Sequence, residues 1–260
     1  MTAPCRVTVL TLNLWHDSAP ADARARVQRE AIEALRPDII GFQEVLRDAR
    51  SNQAEELLAG MGYEVSFGPV VPFWKRDGLT YGNALASRWP IASTRNVELP
   101  TGGGTERRAV LLAELAAPAG ALFAACTHFH HREPEIRELQ ARAALAAFSA
   151  FRGERHEGAH PPHLFLGDFN ASPDKELSPV FAPAFHDAFA IAGGGPGLTW
   201  STENPYAVVS DPPGVRIDYI LVGRGTPLRV LASRVVCREP RDGVYASDHF
   251  GVFAELVWTP

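Results

Sequence analysis

Leu164-Phe165-Leu166-Gly167-Asp168-Phe169-Asn170 carries the reading of this chain. An apolar triplet reads as a short buried strand. It is followed by two polar residues spaced two apart, and in extended chain such residues share a face, so Asp168 and Asn170 can converge on one point. The same punctuation recurs outward in both directions. Val7–Leu12 is followed by Asn13, Asp38–Phe42 by Glu44, and Leu122–Thr127 by His128. Asp218 opens Ile217–Leu221, and Asp248-His249 precede Phe250–Val257. Several strand ends that each contribute one or two polar side chains are how a rigid scaffold builds a site.

The remaining elements follow from periodicity and punctuation. Asp22 is placed to cap a helix from Ala23 to Arg36, stopped by Pro37. Asn52-x-x-Glu55 has the form of a capping box for a helix over 53–60. Strands are expected at Glu64–Phe67, Asn83–Ser87, Ala109–Leu115 and Leu228–Val236, and Pro134 opens a helix to Phe151. The order begins βαβα and then becomes strand-rich, which argues for packed sheets with helices outside rather than a doubly wound parallel sheet. The glycine triplets 102–104 and 193–195 are loops, and neither has the trailing Lys-Ser/Thr of a phosphate-binding loop.

Composition bounds the function classes. A compact chain of 260 residues buries about 75% of its unfolded surface and needs no disulfide staple to fold. The three cysteines, Cys5, Cys126 and Cys237, form no CxxC pair and read as small buried hydrophobes in strands. A net charge of -5 argues against a strongly basic nucleic-acid coat, but not against an enzyme that meets a phosphate through a metal ion. No run approaches ~18 consecutive apolar residues, so no transmembrane segment is expected. Met1–Arg6 is too short for the charged start of a signal peptide, and Val7–Leu14 alternates like a strand, so the expected location is cytoplasmic. One domain spanning residues 1–260, acting as a monomer, is the expected organisation.

The polar residues imply a chemistry. A carboxylate inside Ile-Asp-Tyr-Ile-Leu is expected to be at least half buried and to need a partner, of which a histidine is the obvious one. A histidine with a buried aspartate is a general base with an orienting group. Glu44, Asn13 and Asp248 are oxygen ligands, which suits Mg²⁺ or Mn²⁺ rather than Zn²⁺. Asn170 and His128 can donate hydrogen bonds to phosphoryl oxygens. No serine or cysteine stands in a nucleophile context, so the nucleophile is water and the reaction is metal-assisted hydrolysis of a phosphate ester.

Leu12-Asn13, Gly41-Phe42-Gln43-Glu44-Val45, Gly82-Asn83-Ala84-Leu85-Ala86-Ser87, Thr127-His128, Gly167-Asp168-Phe169-Asn170, Arg216-Ile217-Asp218-Tyr219-Ile220 and Ser247-Asp248-His249, taken together and in this order, resemble the endonuclease/exonuclease/phosphatase superfamily. The resemblance implies a DNase-I-like α+β fold, a four-layer α/β/β/α sandwich of two mixed sheets flanked by helices. It also implies roles. Glu44 is the principal Mg²⁺ ligand with Asn13 and Asp248 nearby, His249 is the base, and Asp218 orients it. Asp168 activates water or assists the leaving group, Asn170 and His128 hold the phosphate, and Arg137 and Gln140 are structural. Two departures stand out. The DNase branch pairs its first histidine with a carboxylate near the 82–87 strand, where this chain has Tyr81, Gly82 and Asn83; and the aspartate that abasic-site endonucleases carry two residues after their Asn is Trp15 here.

Substrate choice falls to the loops. Pro69–Leu79 holds Phe73, Trp74, Lys75 and Arg76; Trp200 and Tyr206 stand in a second aromatic stretch; Arg107-Arg108 lies where a phosphate clamp would sit. These features fit a nucleic acid, including an abasic site, as well as a phospholipid such as sphingomyelin, an inositol phosphate or a small phosphodiester. Three other classes compete. His128-x-His130-His131 resembles part of a zinc-hydrolase cluster, but Arg132-Glu133 stand where that motif continues with Asp-His. A calcineurin-like phosphoesterase would need a downstream Gly-Asn-His, which is absent. A non-catalytic binding module would have lost Glu44, Asp168, Asp218 or His249, and all four are present.

Overall fold

The computed structural model describes residues 4–155 and 161–260. Met1 to Ala3, the start of the N-terminal stretch read above, lie outside the described residues. In chain order the first half holds β1 (Cys5–Asn13), α1 (Ala21–Leu35), β2 (Ile39–Arg47), α2 (Gln53–Leu57), β3 (Glu64–Pro72), β4 (Thr80–Ser87), β5 (Ile91–Leu99), β6 (Arg108–Ala117), β7 (Gly120–His128) and α3 (Pro134–Gly153). The second half holds β8 (His163–Asp168), α4 (Ser178–Phe181), β9 (Phe185–Asp187), α5 (Ala188–Ala192), β10 (Trp200–Ser201), β11 (Gly214–Val215), β12 (Asp218–Gly223), β13 (Leu228–Val236) and β14 (Gly251–Trp258).

Two six-stranded sheets form, in the orders β13-β14-β1-β2-β4-β3 and β5-β6-β7-β8-β12-β9, with β10 and β11 as a separate ribbon. Each sheet has one parallel pair near its middle, β1 with β2 and β7 with β8, and is otherwise antiparallel. Alternation along the strands divides the apolar residues into layers. Val7, Val9, Ile39, Leu111, Ala124, Cys126, Leu164, Leu166 and Val252 fill the space between the sheets. Their neighbours Leu10, Leu12, Ile40 and Phe42 face outward to Ile32 of α1 and Leu57 of α2. Phe123, Ala125 and Phe165 face the other way, to Phe148 and Phe151 of α3. The sandwich expected from the sequence is therefore the one observed, and truncating a ring such as Phe165, which is 0% exposed, would cost about 3–5 kcal/mol. At Gly41 the sheets approach so closely that an added Cβ would lie 3.1 Å from Leu166 Cβ.

The parallel pairs explain why the polar residues share one end of the molecule. The carboxyl end of β1 delivers Asn13, and a bulge within β2 level with it delivers Glu44, although β2 runs on past the expected end at Phe42 to Arg47. The carboxyl ends of β7 and β8 deliver His128 and Asp168. β12 and β14 run antiparallel to these neighbours, so their amino ends, with Asp218 and the Asp248-His249 pair just before Gly251, arrive at the same edge.

Several local expectations change. α1 begins at Ala21 with Pro20 as its N-cap and no side-chain cap, so Asp22 sits in the first turn, where its charge meets the helix dipole instead of capping. The Asn52–Glu55 capping box is present, but α2 stops at Leu57. β5, which follows β4 after a short turn, is an additional strand that its sequence does not announce, because IASTRNVEL alternates small and polar residues with few large apolar ones. Of the three cysteines only Cys126 is fully buried; Cys5 is partly exposed at a strand start, and Cys237 lies just past β13 with φ 62°.

Candidate active site

A cleft of about 970 Å³ opens at the polar edge of the sandwich. The second sheet supplies its floor. His128 and Asp168 are register partners across β7 and β8, and Asp168 and Asp218 across β8 and β12, so the three stand in a row. Gly167 makes this row possible. Its φ is +145°, and an added Cβ would lie 2.0 Å from the Thr127 carbonyl oxygen, so only glycine lets β8 press against β7 just before Asp168.

Asp218 is 0% exposed and His249 5%. His249 Nδ1 lies 2.9 Å from Asp218 Oδ2, the pairing that the apolar surroundings of Asp218 demanded. The backbone of Asp218 is held by Thr199, whose hydroxyl oxygen accepts the Ile217 and Asp218 N–H groups at 3.0 and 3.2 Å. Arg216, the other conceivable partner for Asp218, instead pairs with Asp187 at 2.7 Å. Burial alone would depress the His249 imidazole, but Asp218, Asp168 and Asp248 around it lift it well above its ordinary value. His249 Nε2 faces Asp168 Oδ2 at 3.6 Å, and the Trp200 ring meets the imidazole edge-on with centroids 4.7 Å apart.

Asp168 is 1% exposed. Its Oδ1 accepts the Asn170 N–H, and its Oδ2 accepts from the Asn13 amide at 3.2 Å. Burial, with Asp218 and Glu44 nearby, raises its carboxyl against the opposing effect of His249. Asn170 holds φ at 51° and donates its amide to the Phe129 carbonyl at 3.0 Å. His128 is buried and its ring is depressed by that burial and by Arg108, which leaves it neutral. The carboxylate partner of the nuclease branch is replaced here by the Tyr81 hydroxyl, 3.2 Å from His128 Nδ1.

The opposite wall carries the candidate metal ligands. Glu44 sits on a bulge of β2, where the register against β4 slips between Phe42 and Val45, with φ of 57°. Bulges of this kind re-aim a side chain next to a site. Its carboxylate reaches no closer than 3.8 Å to His16 Nε2 and 3.9 Å to His128 Nδ1. Asp248 is 7% exposed, takes a hydrogen bond from the Ser247 hydroxyl at 3.1 Å, and is raised by burial to about 7. Among the described residues neither Asp168 nor Asp248 has a Lys or Arg in ion-pair contact. The nearest cationic group to both is the His249 imidazole, which they share with Asp218, so the three buried carboxylates carry excess negative charge that a divalent ion would offset. Glu44 and Asp248 thus fit an oxygen-ligated ion; Asn13, 1% exposed, spends its amide on Asp168 and accepts the Trp15 N–H at 2.9 Å on its oxygen.

Two expectations for the rim need correction. Arg107 and Arg108 both line the cleft, but neither guanidinium is free: Arg107 is paired with Glu98 at 2.6 and 2.7 Å, and Arg108 with Glu106 at 2.8 and 2.6 Å. The zinc cluster of His128, His130 and His131 does not assemble either. His128 turns to Tyr81 and Asp168, while His130 and His131 turn to Glu106. Even the Glu106-His130-His131 group is poorly suited to a metal. His130 Nδ1 accepts the Arg132 and Glu133 N–H groups at 3.2 and 3.0 Å, so the ring proton occupies Nε2, the only atom that could ligate. Arg137 and Gln140 do act structurally: Gln140 accepts the His130 N–H at 2.8 Å, and Arg137 bonds the His130 carbonyl and Glu176.

Two residues that matter to the cleft, His16 and Arg24, carry no local sequence motif of a site, and two named above, Trp74 and Tyr81, gain a definite place in it. His16 lines it beside Glu44 and is depressed mainly by burial. Its position three residues past the end of the Asn13 strand was the available signal. Trp74, 64% exposed, and Tyr81 form the aromatic wall on the His128 side, with centroids 5.4 Å apart. Arg24 of α1 is 1% exposed and ties two site loops together, donating to the carbonyls of Leu14 at 2.7 Å, Trp15 and His16 at 3.2 Å, Ser18 at 2.7 Å and Ala246 at 3.4 Å.

Comparison with known proteins agrees with this geometry. The Escherichia coli K12 protein YbhP is 26% identical over 264 residues, 95% of each chain. An endonuclease/exonuclease/phosphatase crystal structure from Beutenbergia cavernae is 26% identical with a TM-score of 0.76, covering 97% of this chain and 72% of that one. A D. rerio TDP2 structure, complexed with single strand DNA product, shares the fold at 20% identity and a TM-score of 0.78 over 96% of this chain and 98% of its own. A model of the Endonuclease/Exonuclease/phosphatase family matches residues 10–249, which spans every residue of the cleft, and the chain belongs to that family of metal-dependent phosphoesterases and nucleases.

Proposed function

We propose that this protein hydrolyses a phosphodiester with a bound Mg²⁺ or Mn²⁺ ion and a water molecule deprotonated by His249. The observation that carries the reading is the buried Asp218–His249 pair at 2.9 Å, facing Asp168 in a cleft whose other wall holds Glu44 and Asp248. Asp218 accepts a hydrogen bond from Nδ1–H and remains ionised; it thereby leaves Nε2 as the edge that accepts the water proton and stabilises the imidazolium formed on that transfer. Glu44 is the principal metal ligand, with Asp248 and Asn13 beside it; the bound ion supplies positive charge at the phosphoryl oxygens. Asp168, raised by burial, is suited to hold a proton for the leaving group or to orient the water. His128 and Asn170 hold the phosphate.

The cleft is larger than a phosphate group needs, and Trp74 and Trp200 stand on its two sides, the one beside Tyr81 and the other against His249. That supports a substrate with a planar or apolar group attached to the phosphate, which keeps nucleic acids and phospholipids in the panel. The reading takes residues 1–260 as one catalytic domain, supported by an apolar layer to which both sheets contribute. The test is hydrolysis of bis-p-nitrophenyl phosphate, plasmid and abasic DNA, RNA, sphingomyelin and inositol phosphates by metal-stripped protein, with and without added Mg²⁺ or Mn²⁺. Metal-dependent turnover of at least one ester, abolished by EDTA, is expected. Full turnover in EDTA after stripping would refute the mechanism.

A further inference from the structure

The two histidines that face Asp168, His128 and His249, sit in hydrogen-bond settings of opposite polarity. His249 offers Nδ1 to a carboxylate, whereas His128 offers Nδ1 to a phenol. We propose that Tyr81, held by Arg108, is a positioning residue that fixes His128 as the tautomer with its proton on Nε2, so that His128 donates to a phosphoryl oxygen and cannot serve as a base. This rests on the functional reading above only for the phosphate; the tautomer itself follows from counting donors and acceptors.

Arg108 has donors only, and its Nη1 lies 3.4 Å from the Tyr81 oxygen, with the guanidinium anchored on Glu106 by Nε and Nη2. The phenol oxygen therefore accepts from Arg108, and its own proton is directed at the remaining neighbour, His128 Nδ1, 3.2 Å away. The far edge of the ring gives the same answer independently. His128 Nε2 lies 3.3 Å from Asp168 Oδ2, an oxygen that already accepts from Asn13. Above the Asp168 titration, where it is a carboxylate, a bare Nε2 there would set lone pair against lone pair. The reverse tautomer is disfavoured at both ends, because it would also point two donors at the Tyr81 oxygen and turn the phenol proton away from His128. A carboxylate in place of Tyr81 would reverse the outcome, since it accepts only and would demand a proton on Nδ1. Tyr81 is the register partner of Leu46 in β2, two residues past the Glu44 bulge, so the same strand pair sets both side chains.

The experiment is a long-range ¹H–¹⁵N correlation spectrum of the histidine rings in ¹⁵N-labelled, EDTA-treated protein, with the His128 signals assigned by their loss in His128→Asn. The expected result is a protonated Nε2 and a pyridine-type Nδ1 for His128, and the opposite arrangement or an imidazolium for His249. In Tyr81→Phe the His128 ring should shift toward mixed tautomers, and kcat/KM on whichever ester is turned over should fall roughly fivefold to tenfold, the scale of one hydrogen bond. Proton on Nδ1 in the wild type overturns the proposal, as does a His128 spectrum unmoved by Tyr81→Phe. If that variant does not fold, the wild-type spectrum alone decides. Turnover failing on every ester while His128 carries its proton on Nε2 would refute the proposed function and uphold this assignment.

Discussion

Replacing Asp218 by Asn changes almost no volume and tests the centre of the proposed chemistry. Asp218 is fully buried, its Oδ2 accepts from His249 at 2.9 Å, and its Oδ1 has no hydrogen-bond partner among the described residues. An amide in this position has two orientations and nothing on the Oδ1 side to choose between them. With its oxygen toward His249, the hydrogen bond survives but the negative charge that stabilises the imidazolium is gone. With its nitrogen toward His249, the amide donates to Nδ1, the ring proton moves to Nε2, and the base has no lone pair for water. Either way an amide N–H₂ or an amide oxygen is buried beside apolar neighbours, at a cost of about 1–3 kcal/mol in stability. The analogous change in serine-protease triads costs about 10⁴ in kcat, so a loss on the order of 10² to 10⁴ is expected, or about 2.7–5.4 kcal/mol of barrier. The assay is kcat per folded molecule, with melting temperature measured on the same preparation. Near-normal kcat with a lowered melting temperature would refute the catalytic assignment and leave Asp218 a structural residue.

Glu44→Ala should lose Mg²⁺ affinity and rate together, whereas His249→Ala should keep its fold and most metal binding while kcat falls about 10²- to 10⁴-fold; isothermal titration and kinetics separate the two, and a His249→Ala variant with more than about a tenth of wild-type kcat contradicts a general base. Arg24→Lys keeps the charge but cannot reach the five carbonyls that Arg24 serves, so a loss of about 3 kcal/mol, or roughly 6–12 °C in Tm, is expected by calorimetry, and a shift under 2 °C would mean the loops are held by other contacts. Glu106 is desolvated, yet His131 and Arg108 hold it down to about 2 in the folded chain, so between its ordinary value and 2 the unfolded chain binds the extra proton. Its contribution is full above the ordinary carboxylate range and is lost as pH falls toward 2. After discounting for partial exposure it amounts to about 1–2 kcal/mol, and Glu106→Gln should flatten that part of the urea-measured stability profile; an unchanged slope would show that the carboxylate is not held.

The sequence by itself determined what depends on neighbours a few residues apart. The capping box at Asn52–Glu55, the whole of β13 and the polar residues at strand ends were legible because caps, period-2 alternation and strand termination are short-range properties of the chain. The buried setting of Asp218 was legible for the same reason, from the apolar residues on either side of it. Tertiary structure alone decided which of these residues meet. Asp218 and His249 are 31 residues apart, Tyr81 and His128 are 47 apart, and Asn13 and Asp168 are 155 apart. Their contacts come from the two parallel pairs and the antiparallel strands beside them, which bring carboxyl ends and amino ends to one edge. No local pattern encodes strand order, and none reveals that Arg107 and Arg108 find Glu98 and Glu106 before any phosphate. Nor does periodicity foretell a buried Arg24, whose place in α1 makes sense only when five loop carbonyls surround it: a charge is tolerated inside a protein where the fold supplies every partner, and those partners come from segments 6 to 222 residues away.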